Sequence, residues 1–404
     1  MNIIEKLCEK SAWEDYYNYK LDKEDDENKF IVSLRNFIDN EDYISFFENI
    51  KKRAPFPHPE KVLVNKSKTG KKRVVYTFPE KENFILKFIS YQLKAYDNLF
   101  APNLYSFRKN KTVKSAWNYI LRINDLNKKY VYKVDISSYF NSVNPENFIP
   151  ILKSALQHNS ELCDFLEEIL LNPYAIYKGD VIKEAKGILP GVPVSAFFAN
   201  LYLSELDHFF FENNVPYFRY SDDIIVFADN DEKLNEYITT IKNHLKAKGL
   251  EINPEKETIT QPGEKWDFLG FCYHNGTIDV SEVAVKKLKA KMRRKSRALL
   301  RWAEKENHPS EYAVKAFIKR FNAKLYDNPI HNELTWCRWY FPIINTDASL
   351  KAIDEYMQDC IRFLATGKRN KSRYNFTYEN IKTSGYRNLV NEYYKFKENT
   401  YDIN

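Results

Sequence analysis

The chain has 404 residues, enough to bury a large core and to divide into two or three subdomains, and its 44% hydrophobic content is that of an ordinary soluble globular protein. No apolar run approaches the ~20 residues of a membrane span, and the N-terminal MNIIEKLCEK does not read as a signal peptide. The five cysteines and seven histidines are scattered, which excludes a disulfide framework and a Cys/His metal cluster, and a net charge of +7 points to an anionic partner.

In chain order, residues 1–55 predict a helical extension, with 36–50 amphipathic, ending at Pro55–Pro59. Residues 61–64 and 72–77 predict two strands around a Gly-closed turn at 66–70, crowded by Lys66, Lys68, Lys71, Lys72 and Arg73. Helical spacing runs through 80–100, a basic loop leads into a helix over 103–120, and 130–136 reads as a buried strand. Residues 145–172 are expected to be mostly helical. A Gly/Pro loop from 186 becomes an apolar helix ending near 207.

Residues 215–228 then form two apolar strand arms with Asp222 and Asp223 at the turn between them. A helix over 232–248, a strand over 250–260 and a hairpin over 266–280 follow, and the rest is helical to about 365 before a basic loop at 367–373. The middle of the chain thus reads βαββαβ, an antiparallel sheet with helices on one face, within an α+β fold. Within 283–301 lie Lys286, Lys287, Lys289, Lys291, Arg293, Arg294, Lys295, Arg297 and Arg301, and no acid. Val285, Leu288, Met292 and Leu299 make the opposite stripe, so one face is buried and the other is a candidate polyanion-tracking surface. The 29 Tyr and 28 Phe are read first as core and second as base-stacking surfaces.

Two carboxylates at a turn call for a cation, and a hard divalent ion that also takes substrate phosphates is the simplest one. Asp135, at the end of the strand 130–134, is the candidate third carboxylate. In a βαββαβ sheet its strand lies beside the central hairpin, so the three could converge on two ions that clamp attacking and leaving oxygens.

These residues resemble the motifs of reverse transcriptases over about 60–300. Asp135-Ile136-Ser137-Ser138-Tyr139-Phe140 is similar to the first aspartate motif and Tyr220-Ser221-Asp222-Asp223 to the tyrosine–x–Asp–Asp box. Residues 186–195 with 199–203 resemble the Gly/Pro loop and helix that support template and nucleotide. Residues 250–258 resemble the next motif, with Lys256 at its lysine, and 266–271 resemble the primer-gripping hairpin.

The resemblance implies a right-hand polymerase with fingers at 56–129, a ferredoxin-like βαββαβ palm at 130–280 (helical over 145–185) and an α-helical thumb and C-terminal region at 281–404. It implies an RNA-directed DNA polymerase using two Mg²⁺ ions, with Mn²⁺ as a substitute, held by Asp135, Ile136, Asp222 and Asp223. Lys256 would donate a proton to pyrophosphate. Arg73, Phe140, Pro190 and Gly191 would hold the deoxynucleotide, Phe140 as the steric gate against a 2′-OH. Lys72, Arg108, Ser195, Tyr220, Phe268, Leu269, Gly270, Lys287, Lys291 and Arg294 would contact nucleic acid.

One departure stands out: Pro190 occupies the position where the family usually has glutamine, and its side chain donates no hydrogen bond. The C-terminal segments 367–369 and 385–394 resemble compact stand-alone bacterial reverse transcriptases associated with phage defence. That implies a cytoplasmic enzyme copying a dedicated non-coding RNA template or scaffold into DNA from dNTPs, with no membrane partner and with a homo-oligomer or a second protein of a defence operon as company. Untemplated or protein-primed synthesis by the same site, motivated by Pro190 and the many tyrosines, is the alternative within the enzyme class. A catalytically inactive nucleic-acid binder is the alternative outside it.

Overall fold

A computed structural model describes residues 2–22, 28–65, 72–326 and 335–401, so the expected turn at 66–70 and Lys71 lie outside the described residues. The chain divides into two compact units, Met1–Gln261 and Pro262–Asn404. Among the described residues no helix is long and apolar enough to cross a membrane.

In the first unit the N-terminal extension is core. Helices Lys10–Leu21, Lys29–Asp39 and Asp42–Lys51 pack through Trp13, which stacks on Phe88 of the helix Glu80–Gln92 with ring centroids 4.2 Å apart. The amphipathic stretch 36–50 is two helices rather than one, because Glu41 takes a left-handed conformation (φ 54°) and breaks the run.

Strands β1 (Glu60–Asn65) and β2 (Lys72–Thr77) pair antiparallel as expected, and β3 (Tyr130–Asp135) is the predicted buried strand. Helix persists only to Leu171, which corrects the expectation of helix through 185. Pro173 disfavours helical backbone in the residue before it. Beyond it β4 (Tyr174–Tyr177) and β5 (Asp180–Lys183) form a hairpin through Lys178 (φ 56°) and Gly179 (φ 92°). A two-residue turn with both φ positive matches the twist of a hairpin. β4 pairs parallel with β1, giving a four-stranded sheet ordered β2-β1-β4-β5.

The central sheet adds β6 (Tyr217–Tyr220), β7 (Asp223–Ala228) and β8 (Thr258–Thr260). Its order is β6-β7-β3-β8 with every pair antiparallel. Helices Ser195–Tyr202 and Ser204–Glu212 precede β6, and Asp231–Ala247, capped by the Asn230 side chain, links β7 to β8. This is the expected βαββαβ arrangement. The strand predicted over 250–260 shrinks to its last three residues. Pro254 opens a short 3₁₀ turn, Pro254–Lys256, with Asn253 capping it through the Glu255 amide at 3.2 Å.

In the second unit the hairpin predicted over 266–280 is a three-stranded meander of β9 (Trp266–Phe268), β10 (Phe271–His274) and β11 (Thr277–Val280). Both of its turns, Leu269-Gly270 and Asn275-Gly276, have two positive φ angles. Helices Glu282–Lys305, Ser310–Leu325 and Ala348–Thr366 pack on one another, the first burying Leu288, Met292 and Leu299 as its apolar stripe predicts. Asp354, 4% exposed, accepts the Leu389 and Val390 amides at 2.9 and 3.0 Å and the Tyr386 hydroxyl. The 385–390 segment therefore anchors the last helix, Leu389–Tyr401, to the bundle.

Candidate active site

The register of two strands brings the carboxylates together. β3 and β7 pair so that Asp135 lies opposite Asp223, and the Ile136 amide donates to the Asp222 carbonyl at 3.1 Å. Asp135 is 5% exposed. Burial, then the neighbouring Asp222 and Asp135 charges, push the Asp223 carboxyl up to about 6. Asp222 is also pushed up, first by burial and then by Asp135, while Lys256 and Arg73 pull it back. Lys256 sits on the 3₁₀ turn, and its ammonium lies 2.5 Å from Asp135 Oδ2. The Asn253 amide holds that turn to the Asp135 carbonyl at 2.8 Å, and the Ser137 amide donates to the Glu251 carbonyl at 2.8 Å.

The aspartate turn is fixed from beneath by residues the sequence reading did not single out. Ser221 adopts φ 60°, unfavourable for a residue with a Cβ. Its amide donates to Ser106 Oγ at 2.8 Å and its carbonyl accepts Arg219 Nη1 at 3.1 Å. Ser106 in turn donates to Asn200 Oδ1 at 3.1 Å, and the Asn200 amide nitrogen returns to the Ser106 carbonyl at 2.8 Å. Arg219 and Asp207 have no exposed side-chain surface and form a two-pronged pair at 2.8 and 2.5 Å. Arg219 Nη2 also reaches the Asn200 carbonyl at 3.1 Å, and the Tyr217 hydroxyl donates to Asp207 at 3.1 Å. A sequence signal existed: Arg219 interrupts an apolar strand and Asp207 an apolar helix, and each buried charge needs the other.

The Gly/Pro loop is wedged between the segment Phe140-Asn141 and β2. A Cβ on Gly187 would stand 2.1 Å from the Phe140 carbonyl oxygen, and one on Gly191 (φ 98°) would stand 2.9 Å from the Tyr76 carbonyl oxygen. The Ile188 amide donates to the Phe140 carbonyl at 2.9 Å and the Tyr76 amide to the Pro190 carbonyl at 2.7 Å. Pro190 thus offers neither a side-chain donor nor an open carbonyl. Phe140 is half-buried, its ring edge-to-face with Phe107.

Two expected nucleic-acid contacts turn inward. Ser195 is 1% exposed and its hydroxyl donates to the Leu189 carbonyl at 2.5 Å. Arg108 spends its guanidinium on both Asp97 carboxylate oxygens, each at 2.8 Å, and on the Ala101 carbonyl at 2.6 Å. An apolar surrounding and a nearby carboxylate capture these groups as structural ties. Lys72 and Arg73 are exposed on β2, and Tyr220 is half-buried opposite Asp223.

In the second unit Phe268 is buried, and the Leu269 carbonyl accepts the Trp339 indole at 3.4 Å. A Cβ on Gly270 would stand 2.8 Å from the Tyr340 hydroxyl. Lys287, Lys291 and Arg294 are exposed on one helix face. Partial burial, then Lys324, Arg294 and Lys287, hold the Lys291 ammonium below its ordinary pKa, as expected for crowded cations.

Among the described residues no three side chains form a ready-made metal cage. The donor set nevertheless fits a hard divalent cation such as Mg²⁺, because the Asp135 charge helps to raise Asp222, Asp222 and Asp135 help to raise Asp223, and such a cation relieves that repulsion. Mg²⁺ commonly takes one or two carboxylates and completes its shell with substrate phosphates and water.

A family model described as reverse transcriptase (RNA-dependent DNA polymerase) matches residues 64–273, just over half of the chain. No curated protein matches it. Similar solved structures include apo telomerase from Candida tropicalis truncated from its C-terminal domain, at 16% identity and TM-score 0.47 over 56% of each chain. Apo telomerase from Candida tropicalis matches at 14% identity and TM-score 0.48, over 82% of this chain and 60% of that one. Telomerase from Candida albicans in complex with a TWJ fragment of telomeric RNA matches at 12% identity and TM-score 0.44, over 87% and 71%. The chain thus spans less than two thirds of the first two.

Proposed function

The chain belongs to the reverse transcriptase family, and on that premise we propose that it is an RNA-directed DNA polymerase that extends DNA by two-metal-ion nucleotidyl transfer at Asp135, Asp222 and Asp223. The observation that carries this reading is the Asp135–Asp223 register pair, which sets three mutually repelling carboxylates at one end of the central sheet. Bound there, Mg²⁺ would supply Lewis-acid stabilisation of the attacking and leaving oxygens.

The remaining work falls to the protein. The primer 3′-oxygen forms a bond to the α-phosphorus, its proton passing to solvent water, while the bond from that phosphorus to the oxygen bridging to the β-phosphate breaks and pyrophosphate leaves. Lys256, held at Asp135, is the donor that protonates the leaving pyrophosphate. Arg73, whose charge is felt at Asp222, holds the triphosphate by charge-assisted hydrogen bonds. Phe140 fills the space a 2′-OH would need. Residues 56–129 serve as fingers and the basic helix as the thumb surface that follows the duplex backbone.

The template we propose is a dedicated non-coding RNA, and the setting antiphage defence in the cytoplasm. That finer reading rests on the resemblance of the C-terminal segments. A second reading, untemplated or protein-primed synthesis, is favoured by Pro190, whose carbonyl is taken by Tyr76.

The Asp222→Ala, Asp223→Ala double variant is expected to abolish divalent-dependent dNTP incorporation and to keep RNA binding. Retained incorporation would sink the site assignment. Sequencing the RNA and DNA that co-purify from the host separates the templates. A product complementary throughout to a bound RNA rules out untemplated synthesis, and one matching no bound RNA rules out the dedicated template.

A further inference from the structure

Phe107 combines two properties that folding alone does not favour. It is 54% exposed, and it holds φ 57°. A bulky side chain in the left-handed region is a strained outlier, and such strain persists only where the surroundings impose it. Here both neighbours are locked. Ser106 is fully buried, its hydroxyl shared between Asn200 and the Ser221 amide. Arg108 is pinned by Asp97 and the Ala101 carbonyl. The backbone is thereby forced to turn the Phe107 ring outward, one residue from the serine that ties down the aspartate turn.

The outward ring is not isolated. It meets the gate residue Phe140 edge-to-face, with centroids 6.5 Å apart and planes at 85°. It therefore borders the position where the nucleotide sugar is read, with a ring face available to stack. The usual polar partner of the nascent base pair is missing from this chain, since Pro190 brings no side-chain hydrogen bond and its carbonyl is spent on Tyr76. A base has a π-face whatever its identity, so stacking can hold it without a hydrogen-bond code.

We propose that Phe107 is a substrate-positioning residue whose exposed ring stacks on a nucleobase of the nascent pair. The inference rests on the polymerase reading above and names a contact that reading lacks. Two bases could supply the same chemistry, the incoming nucleotide's and the template's, and both arms can be tested.

The experiment uses the full chain with a defined RNA template and DNA primer, and measures single-nucleotide incorporation against dNTP concentration. Phe107→Ala is expected to raise KM for dNTP about tenfold, the range of one lost base–aromatic stack, with kcat within about twofold. Phe107→Trp is expected to restore KM. Repeating the titration on a template with an abasic site at the templating position assigns the base. The alanine penalty disappears there if the ring stacks on the template, and persists if it stacks on the incoming nucleotide.

Unchanged KM in Phe107→Ala, a defect in kcat alone, or a defect that tryptophan does not restore overturns the inference. The wild-type protein in the same assay keeps the two readings apart. Wild-type incorporation that is indifferent to Phe107 defeats only this inference, whereas no wild-type incorporation on any RNA template defeats the polymerase reading instead.

Discussion

Ser106 Oγ accepts the Ser221 amide at 2.8 Å, so a residue 115 positions away in sequence holds the strained centre of the aspartate turn. Ser221 would otherwise bury an amide without a partner at φ 60°. Leaving such a donor unsatisfied costs about 1–3 kcal/mol, and small displacements of reacting groups cost orders of magnitude in rate. Ser106→Ala is expected to lower stability by about 1–2 kcal/mol and kcat by roughly tenfold or more, with RNA affinity unchanged. Thermal melting, incorporation rate and RNA binding, measured on one preparation, check it. An unchanged kcat would mean that the turn does not depend on this tie.

The Asp223 carboxyl gives a pH dependence whose sign is opposite to that of a salt-bridged aspartate. Its pKa is about 6 in the folded chain against an ordinary value of 3.8. The folded state therefore binds more protons than the unfolded one between these values, and metal-free stability falls as pH rises from about 4 through 6. A shift of this size corresponds to roughly 3 kcal/mol at most, shared with Asp222. Asp223→Asn is expected to raise the melting temperature in EDTA at pH 8, with the gain vanishing near pH 4, while incorporation is lost. An asparagine variant that melts below wild type in EDTA at pH 8 contradicts the electrostatic account.

The central sheet was legible because its signals are local: apolar strand runs, a two-aspartate turn and a helix between β7 and β8. Their register then follows from the fold, and Asp135 meets Asp223 because, as a βαββαβ sheet predicts, its strand lies beside the central hairpin. The β4–β5 hairpin was missed although Pro173 and Lys178-Gly179 mark its start and turn, because its short strands follow a long helical run. The inward turn of Ser195 and Arg108 was illegible for a different reason. A hydroxyl or guanidinium in a motif reads the same whether it faces a ligand or a carbonyl, and only the packing of Leu189 and Asp97 around them decides. Arg219 and Asp207 were half legible, each as a charge in an apolar run, but pairing them needed the third dimension.

The Arg219–Asp207 pair allows stability and positioning to be separated. Removing one partner leaves a buried charge uncompensated and costs about 3–5 kcal/mol, whereas replacing both with apolar side chains is often neutral. Arg219→Met alone is therefore expected to unfold the chain or nearly so. Arg219→Met with Asp207→Leu is expected to recover most of the melting temperature. It should not recover kcat, because the Ser221 carbonyl still lacks the Nη1 donor that held it at 3.1 Å. Recovery of both together would show that the pair acts only as core.

Lys287, Lys291 and Arg294 recur at four- and three-residue spacing on the exposed face of the helix Glu282–Lys305, and Lys324 of the helix Ser310–Leu325 adds to their field at Lys291. Cations held close enough to repel one another are stabilised by a polyanion, and each phosphate neutralised releases condensed counterions. Replacing the three with glutamine is expected to weaken duplex binding at low salt and to flatten the log–log salt dependence by about 2–3 units, without sequence preference. Because the side chains are exposed, melting temperature should hold or rise slightly as the mutual repulsion is removed. Binding measured across a salt series with RNA–DNA duplexes of unrelated sequence decides it: a slope equal to that of wild type would remove this face from the nucleic-acid path.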